Sequence, residues 1–226
     1  MKKVALITAG GSGSRMQAAI PKQFIEIAGK PVLMHTFFAF QKYAPDLEFV
    51  LVLPENHFDY WKSLCEKYQF HSHHKLAIAG PTRFHSVKSG LQHVADDALV
   101  AIHDGVRPLV SMDTIARCFH HAGRVGNAIA VVPANESLRI TENAISRSLP
   151  RQKVRVVQTP QCFMARIIKK AYNKNYSEEF TDDASVLEAD GERIYMVDGN
   201  PENIKITTST DLITAEALLA ARGKKA

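Results

Sequence analysis

The chain has 226 residues, which suits one compact domain because single domains commonly run to ~200–250 residues before they divide. Hydrophobic residues make up 46% of the chain, enough to bury a core, so the composition excludes disorder as the default. The net charge of +5 comes from scattered lysines and arginines rather than from a basic stripe with interleaved aromatic residues, which argues against nucleic-acid binding. Cations that stand singly beside glycines favour a small polyanionic ligand instead.

The sequence also argues against a membrane protein, a disulfide-stabilised protein and a metal-binding protein. No apolar run approaches the ~20 residues needed to cross a bilayer, and Val4–Ile7 is too short for the core of a signal peptide, so we predict a cytoplasmic protein. Cys65, Cys118 and Cys162 are isolated and odd in number, which supports neither a disulfide framework nor a zinc site. The histidine cluster at 71–74 lacks cysteine or carboxylate partners at ligand spacing, so a solvated surface is the favoured interpretation and its role stays open.

Strand-like and helical patterns alternate through the first part of the chain. Apolar runs predict strands at Val4–Thr8, Glu48–Leu53, Lys75–Ala79, Leu99–His103 and Ala128–Val132. Helical patterns lie between them at Pro31–Tyr43, within Glu55–Tyr68, at Arg83–Val94 and after Ser111, a plausible helix N-cap. This order predicts an α/β fold with a doubly wound, mostly parallel sheet and right-handed crossovers.

The alternation breaks at residues 134–159. Short alternating runs at Leu138–Thr141 and Val154–Gln158 flank a polar middle and predict a hairpin or extended arm. Helical pattern returns at Met164–Asn173 and Asp182–Ala189, followed by a strand at Arg193–Val197 and a last helix from about Ser209 to Arg222. No linker divides the chain, so we predict a single domain over residues 1–226 with an arm at 134–159.

A glycine-rich segment, Thr8–Lys22, directly follows the first strand. Gly10, Gly11 and Gly13 let backbone N–H groups approach phosphate oxygens. No Walker A string occurs, and Met16 stands where the dinucleotide pattern needs its third glycine, so an ordinary P-loop or NAD site is disfavoured.

Two cations complete this segment. Arg15 and Lys22 lie seven residues apart, which together with free amides predicts a triphosphate clamp. A tight strand–helix turn with surface cations is the alternative. Open α/β sheets bind ligands beyond the carboxyl ends of their strands, so further site residues are expected where the other strands end, at Pro54, 80–86, 104–107 and 133–137.

Several motifs resemble one enzyme family. AGGSGSRM…PKQF resembles the nucleotide-binding signature of the sugar-phosphate nucleotidyltransferase superfamily. GPTRFHSV (80–87), HDGVRP (103–108), QTPQCF (158–163), TDDASVLE (181–188) and NIKIT (203–207) narrow the resemblance to the 2-C-methyl-D-erythritol 4-phosphate cytidylyltransferases of the non-mevalonate isoprenoid pathway, over nearly the whole chain. The resemblance implies a Rossmann-like nucleotidyltransferase fold and a magnesium-dependent homodimer. It also implies transfer of CMP from CTP to 2-C-methyl-D-erythritol 4-phosphate, with release of pyrophosphate.

The resemblance assigns residues to CTP. Arg15 and Lys22 would stabilise the pentavalent transition state, and Gly80 and Ser86 would read the cytosine edge. Pro81 and Thr82 stand where the family often has acidic residues, so Pro81 is not carried over as a side-chain contact. The remaining CTP contacts implied by the resemblance are Thr8, Ala9, Gly10, Gly11, Gly13, Asp104, Gly105 and Lys205.

The resemblance also assigns residues to the acceptor and the metal. Asp104 ends a hydrophobic strand and would bind Mg²⁺ or the acceptor hydroxyls; a structural ion pair with Arg107 is the alternative. Lys205, in the strand-like run NIKIT, would position the acceptor phosphate. Arg151 on the arm would bind that phosphate, and Arg147 and Arg155 are the alternative candidates for this position. In the family the arm exchanges with a second subunit. The implied acceptor contacts are Asp104, Gly105, Arg107, Ser137, Arg151, Thr159, Thr181 and Lys205, of which Arg151 and Lys205 join Arg15 and Lys22 as catalytic residues.

Two other functions stay open on the sequence. Ribitol-5-phosphate cytidylyltransferases share the glycine loop, Lys22 and the HDGVRP-like marker, so only the acceptor pocket can discriminate between the two substrates. A non-catalytic nucleotide-binding regulator should have lost its cations or its strand-end carboxylate. Arg15, Lys22, Asp104 and Lys205 are all present, which weighs against that class.

Overall fold

The computed structural model describes residues 1–11, 20–143 and 145–223. Its strands, in chain order, are β1 (Lys3–Thr8), β2 (Glu26–Ile27), β3 (Lys30–Pro31), β4 (Glu48–Leu53), β5 (Lys75–Ile78), β6 (Leu99–Asp104), β7 (Asn127–Pro133), β8 (Leu138–Glu142), β9 (Ile145–Leu149), β10 (Arg155–Met164) and β11 (Met196–Asp198). The helices are α1 (Val32–Tyr43), α2 (Phe58–Lys67), α3 (Arg83–Leu91), α4 (Met112–Val125), α5 (Ala165–Ala171), α6 (Asp183–Glu188) and α7 (Ser209–Gly223).

A seven-stranded sheet in the order β11–β7–β10–β6–β1–β4–β5 forms the centre of the fold. Strand β1 pairs in parallel with β4 and β6, β4 with β5, and β7 with β11. Strand β10 is antiparallel to both of its neighbours, β6 and β7. The predicted α/β fold with a mostly parallel sheet is therefore confirmed. The carboxyl ends of β1, β4, β5 and β6 all lie at one edge of the sheet.

The sheet is covered on both faces, as parallel sheets require. Side chains of β1 alternate between them: Ala5 and Ile7 join the cluster that includes buried residues of α1, α2 and α4, whereas Val4 and Leu6 join the cluster with α3, α5 and α6. This period of two is what a strand buried on both faces produces. Ser111 caps α4 as predicted, since its hydroxyl accepts from the Thr114 N–H.

The predicted arm divides between two places. Strands β8 and β9 form a separate two-stranded hairpin, while residues 155–159 are the first half of β10 in the central sheet. In the run VRVVQT (154–159), residues Arg155 to Val157 pair with β7, so this run belongs to the central sheet and not to the hairpin.

The prediction of a strand-like run at residues 203–207 is wrong, because this segment is irregular and lies between β11 and α7. Ile206 is nevertheless buried in a third cluster, with Ile27, Val106 and Ala215, and its N–H donates to the Val106 carbonyl at 3.0 Å. The alternation of NIKIT thus reflects a buried loop anchored beside β6. Within the described chain, no helix is long and apolar enough to cross a membrane.

Candidate active site

A cavity of about 460 Å³ opens at the carboxyl edge of the sheet. It lies where ligands are expected in open α/β sheets. The described residues that line it are Thr8, Ala9, Gly10, Gly11, Lys22, Gln23, Gly80, Pro81, Thr82, Arg83, Ser86, Asp104, Val106 and Lys205. The structure thus brings together most of the residues predicted for CTP. Gly13 and Arg15 fall in the segment 12–19, outside the described residues.

The ends of β1 and β6 form the floor of this cavity. Thr8 lies opposite Asp104 in the parallel register, and the Thr8 hydroxyl donates to the His103 carbonyl at 3.3 Å. The Gly105 N–H donates to the Thr8 carbonyl at 2.8 Å, which continues the ladder one residue beyond the strand. A Cβ on Gly105 would lie 3.0 Å from the Ala9 Cβ, so the two segments touch closely here.

Asp104 is surrounded by three cations. Its Oδ2 lies 3.1 Å from the Lys205 ammonium and 3.2 Å from Nε of Arg107, and its Oδ1 lies 3.7 Å from Nε of Arg83. Burial alone would raise the pKa of Asp104, but attraction to Arg83, Lys205 and Arg107 outweighs it and holds the pKa below its ordinary value. The predicted Asp104–Arg107 ion pair is present, and it is one part of a larger cluster.

The pairing of Arg83 with Asp183 is a feature that the sequence did not predict. The Arg83 guanidinium donates to both carboxylate oxygens of Asp183, at 2.8 and 2.6 Å, and the Tyr172 hydroxyl donates to the same carboxylate at 2.6 Å. Asp183 is fully buried, so this fork fixes Arg83 at the cavity wall. Both residues stand inside motifs used for the family resemblance, but a separation of 100 residues carries no signal of their contact.

Lys22 reaches the cavity from a short 3₁₀ turn, Lys22–Phe24. Gln23 in this turn is buried and its amide donates to the Ala9 carbonyl at 2.9 Å. The Phe24 ring packs against the rings of Tyr60 and Trp61, with centroids 5.2 and 6.3 Å away. These contacts fix the turn against the end of β1, which places Lys22 at the cavity together with Gly10 and Gly11.

Residues 80–86 form the opposite wall. The Ser86 hydroxyl donates to the Thr82 carbonyl at 2.9 Å and accepts from the Gly80 N–H at 3.1 Å. Thr82 caps α3, since its hydroxyl accepts from the His85 N–H. A Cβ on Gly80 would lie 2.4 Å from the Cβ of His85, and one on Gly10 would lie 2.8 Å from the Cβ of Ala79, so only glycine fits at these two positions.

Arg107 and Lys205 are held together by the loop that follows β11. The Arg107 guanidinium donates to the carbonyl of Asn203 at 2.7 Å, two residues before Lys205. The buried Asn203 amide in turn donates to the Thr159 carbonyl at 2.7 Å. The loop is therefore fixed to both β10 and the turn after β6, and Lys205 projects over Asp104 from it.

Six residues predicted for the acceptor lie outside the described lining of the cavity. Gly105 and Arg107 lie in the turn after Asp104, and Arg107 pairs with its carboxylate. The other four come from later parts of the chain. Ser137 and Arg151 are exposed on either side of the hairpin, where the Arg151 guanidinium donates to the Asn135 carbonyl at 2.9 Å. Thr181 is exposed in the loop before α6. Thr159 is buried, and its hydroxyl contacts His103. Within one described chain, Thr159 thus reaches the backbone N–H of Asp104, at 3.1 Å, whereas Ser137, Arg151 and Thr181 are exposed away from the carboxylate cluster.

Mg²⁺ prefers oxygen ligands and usually keeps several waters or phosphate oxygens among them. Asp104 is the sole carboxylate among the described residues that line the cavity. No group of three histidine, cysteine or acidic side chains in the described ranges could hold a metal. This set fits a magnesium ion carried mainly by substrate phosphates, with at most one protein carboxylate.

The histidine cluster has a structural explanation in part. The indole N–H of Trp61 donates to Nε2 of His74 at 2.9 Å, and Nδ1 of His74 lies 2.7 Å from the Ser72 carbonyl, to which it donates. Burial lowers the pKa of His74, so the ring is neutral. His71 and His73 are exposed.

The sequence of this chain is similar to those of known proteins. It matches the family model of IspD, 2-C-methyl-D-erythritol 4-phosphate cytidylyltransferase, over residues 3–221. The chain belongs to this family. The family resemblance predicted from the motifs is thereby confirmed.

Relatives and solved structures of IspD proteins agree with this assignment. The chain is 48% identical to the 2-C-methyl-D-erythritol 4-phosphate cytidylyltransferase of Bacteroides thetaiotaomicron over 219 residues, covering 97% of this chain and 100% of the relative. The Syntrophus aciditrophicus protein of the same name is 42% identical and covers 96% of each chain. The fold is similar to that of 4-diphosphocytidyl-2C-methyl-D-erythritol synthase from Anaerococcus prevotii, with a TM-score of 0.82, 29% identity and coverage of 97% and 96% of the two chains. The Thermus thermophilus enzyme gives a TM-score of 0.75 at 30% identity, with coverage of 97% and 100%.

Proposed function

We propose that this IspD-family chain transfers CMP from CTP to 2-C-methyl-D-erythritol 4-phosphate, releasing pyrophosphate. The observation that carries the proposal is the cation-flanked Asp104 at the joined ends of β1 and β6, inside the cavity of a chain of this family. An acceptor phosphate oxygen forms a bond to the α-phosphorus of CTP. The bond from that phosphorus to the bridging oxygen breaks, and pyrophosphate leaves with the electron pair.

The chemistry needs charge neutralisation more than proton transfer. An ionised phosphate is already nucleophilic, so the barrier lies in bringing two polyanions together. Lys22 and Arg83 line the cavity, and Lys205 lies above Asp104. Lys22, with Arg15 in the adjoining segment, is proposed to stabilise the charge that develops on the α-phosphate. Thr8–Gly11, Gly13 and Gly105 would hold CTP through close backbone approach.

Cytosine is proposed to lie against residues 80–86. Gly80 and Ser86 are hydrogen-bonded to each other, which fixes their polar groups, and both residues line the cavity. Such fixed groups can distinguish the exocyclic amine of cytosine from the oxygen of uracil, because a mismatched edge leaves a buried polar group unpaired.

The acceptor phosphate is proposed to bind between Lys205 and Arg107 of one subunit and Ser137 and Arg151 on the arm of a second, with Thr181 nearby. The exposure of the arm residues within one chain supports this arrangement. Ile145 on the hairpin and Val156 and Val157 on β10 are 75, 50 and 40% exposed, and these exposed apolar side chains are available for a partner to cover. We therefore propose a homodimer.

Mg²⁺ is proposed as the cofactor, in accordance with the donor set. When bound, it would neutralise phosphate oxygens of CTP. Asp104 would be its protein ligand, and the flanking cations keep that carboxylate ionised.

The function is tested by a pyrophosphate-release assay with CTP, Mg²⁺ and a panel of polyol phosphates. We expect turnover with 2-C-methyl-D-erythritol 4-phosphate well above that with ribitol 5-phosphate, and little with UTP in place of CTP. Strong turnover of ribitol 5-phosphate without turnover of the methylerythritol substrate would establish the alternative cytidylyltransferase. CTP binding without release of pyrophosphate from any acceptor would favour a non-catalytic regulator.

A further inference from the structure

A closed set of hydrogen bonds adjoins Asp104, among residues that do not line the cavity. His103 Nε2 is 3.1 Å from the Arg107 carbonyl, and His103 Nδ1 is 3.0 Å from the Thr159 hydroxyl. The same hydroxyl accepts from the backbone N–H of Asp104 at 3.1 Å. His103 is fully buried and Thr159 is 5% exposed, so water does not compete for these groups.

The direction of each bond follows from the donors available. A carbonyl can only accept, so Nε2 of His103 carries the proton that it donates to Arg107. Nδ1 of the neutral ring is then an acceptor, and the Thr159 hydroxyl donates to it. That hydroxyl has thereby used its single proton, and one of its lone pairs is used by the Asp104 N–H. Burial lowers the pKa of His103 to about 4, which agrees with a neutral ring.

These bonds span the turn that carries two residues of the proposed site. The N–H of Asp104 is bound through Thr159 and the carbonyl of Arg107 is bound directly, so His103 holds both ends of the turn. The Arg107 N–H donates to the Asp104 carbonyl at 3.1 Å and closes it. Phe40 packs edge-on against His103, with ring centroids 5.0 Å apart, and keeps the imidazole in place.

We propose that His103 and Thr159 are positioning residues for cytidylyl transfer, acting by fixing the turn that presents Asp104 and Arg107 to the substrates. The proposal rests on the proposed function. It gives Thr159 a role other than the acceptor contact implied by family resemblance. The Thr159 hydroxyl is buried on β10, beside β6, and already donates to His103, so it acts through Asp104. The carboxylate of Asp104 then stays at hydrogen-bond distance from Lys205 and Arg107.

The test compares variants that remove or keep the hydroxyl. Thr159→Val removes it at constant shape, Thr159→Ser keeps it, and His103→Phe replaces the imidazole by a ring without nitrogen atoms. We expect Thr159→Val and His103→Phe each to lower kcat by about 10- to 100-fold, the size expected for a displacement near 1 Å. Both should change the KM for each substrate by similar small factors. The kcat of Thr159→Ser should stay within about threefold of that of the parent. The variant that combines Thr159→Val with His103→Phe should have a kcat no lower than that of the less active single variant.

Controls separate positioning from folding and from direct contact. Thr114→Val removes a buried hydroxyl that bonds to Ser111 and Asn200 rather than to the cavity, and it should leave kcat unchanged. If Thr159→Val is not recovered folded, Thr159→Ala replaces it. A rise confined to the acceptor KM in Thr159→Val, with His103→Phe normal, would overturn the proposal in favour of direct contact. Lowered Tm with normal kcat in both variants would overturn it in favour of a purely structural role. If the parent protein turns over no acceptor, the proposed function itself has failed.

Discussion

At the scale of single residues, substitution of Lys22 tests the proposed chemistry directly, because this cation lines the cavity. The turn that carries Lys22 is held by Gln23 and Phe24, so truncating the lysine should leave the fold intact. We expect Lys22→Ala to lower kcat by about 100- to 1000-fold, as loss of one transition-state contact does, with a much smaller change in CTP affinity.

Single-turnover kinetics and calorimetry of CTP binding check this expectation. Lys62→Ala, at an exposed position on α2, is the matched control and should behave as the parent. A near-normal rate in Lys22→Ala would contradict the catalytic assignment.

His74 predicts a pH dependence of stability at the same scale. Its pKa is lowered chiefly by burial, while in the unfolded chain it returns to its ordinary value of about 6.5. Below that value the unfolded state takes up a proton that the folded state resists, so stability falls as pH decreases below about 6.5. Protonation of Nε2 would also remove the acceptor for the Trp61 indole.

Urea unfolding at pH 7 and pH 5 measures this contribution. We expect His74→Gln to lose part of the pH dependence seen in the parent, whereas His73→Gln, at an exposed position, should keep all of it. Identical pH slopes for the parent and His74→Gln would show that His74 does not resist protonation.

At the scale of elements, the Arg83–Asp183 fork joins the start of α3 to the start of α6, and Tyr172 after α5 completes it. Asp183→Asn leaves the Arg83 guanidinium with the longer Asp104 contact, at 3.7 Å, as its remaining printed charge partner, so it should lower the free energy of unfolding by about 3 kcal/mol. Tyr172→Phe removes one hydrogen bond and should cost about 1 kcal/mol. The Asn variant should also lose turnover, because Arg83 would no longer be fixed against Asp104.

Denaturant unfolding and the pyrophosphate assay test both effects. The exposed pair Lys2–Glu48, at 3.3 Å, provides the control: Glu48→Gln should cost less than about 1 kcal/mol. If Asp183→Asn and Glu48→Gln lowered the free energy of unfolding equally, burial of the Arg83–Asp183 pair would contribute nothing to stability.

At the scale of the whole molecule, the arm raises the question of shared sites. If Arg151 acts in the partner's site while Lys205 acts in its own, Arg151→Ala and Lys205→Ala chains are each inactive alone but complement each other. Random mixing of equal amounts should restore about a quarter of the parent activity, since half of the dimers are mixed and each has one intact site.

Subunit exchange is verified with differently tagged chains, and light scattering gives the oligomeric state. Mixed dimers without recovered activity would place Arg151 and Lys205 in the same subunit's site. A monomer with full activity would exclude arm exchange altogether.

The sequence by itself determined the order of elements, the fold class and the family. Alternating apolar and helical runs are local patterns, and motif and strand position alone make Gly80, Asp104 and Lys22 candidate site residues. Where local pattern was ambiguous, tertiary packing decided: NIKIT alternates like a strand, yet it is a loop because Ile206 packs with Val106 and Ala215 rather than in a sheet.

Only the tertiary structure decided which of these side chains act together. Arg83 meets Asp183 across 100 residues, and Thr159 meets His103 across 56. Such contacts depend on strand order and on helix packing, which spacing along the chain does not encode. From the sequence alone, the Thr159 hydroxyl could bind a ligand. In the folded chain it is buried and donates a hydrogen bond to the neutral His103 ring. Burial and hydrogen-bond pairing are properties of the folded chain, and they separate the residues that line the cavity from those that are engaged within the protein.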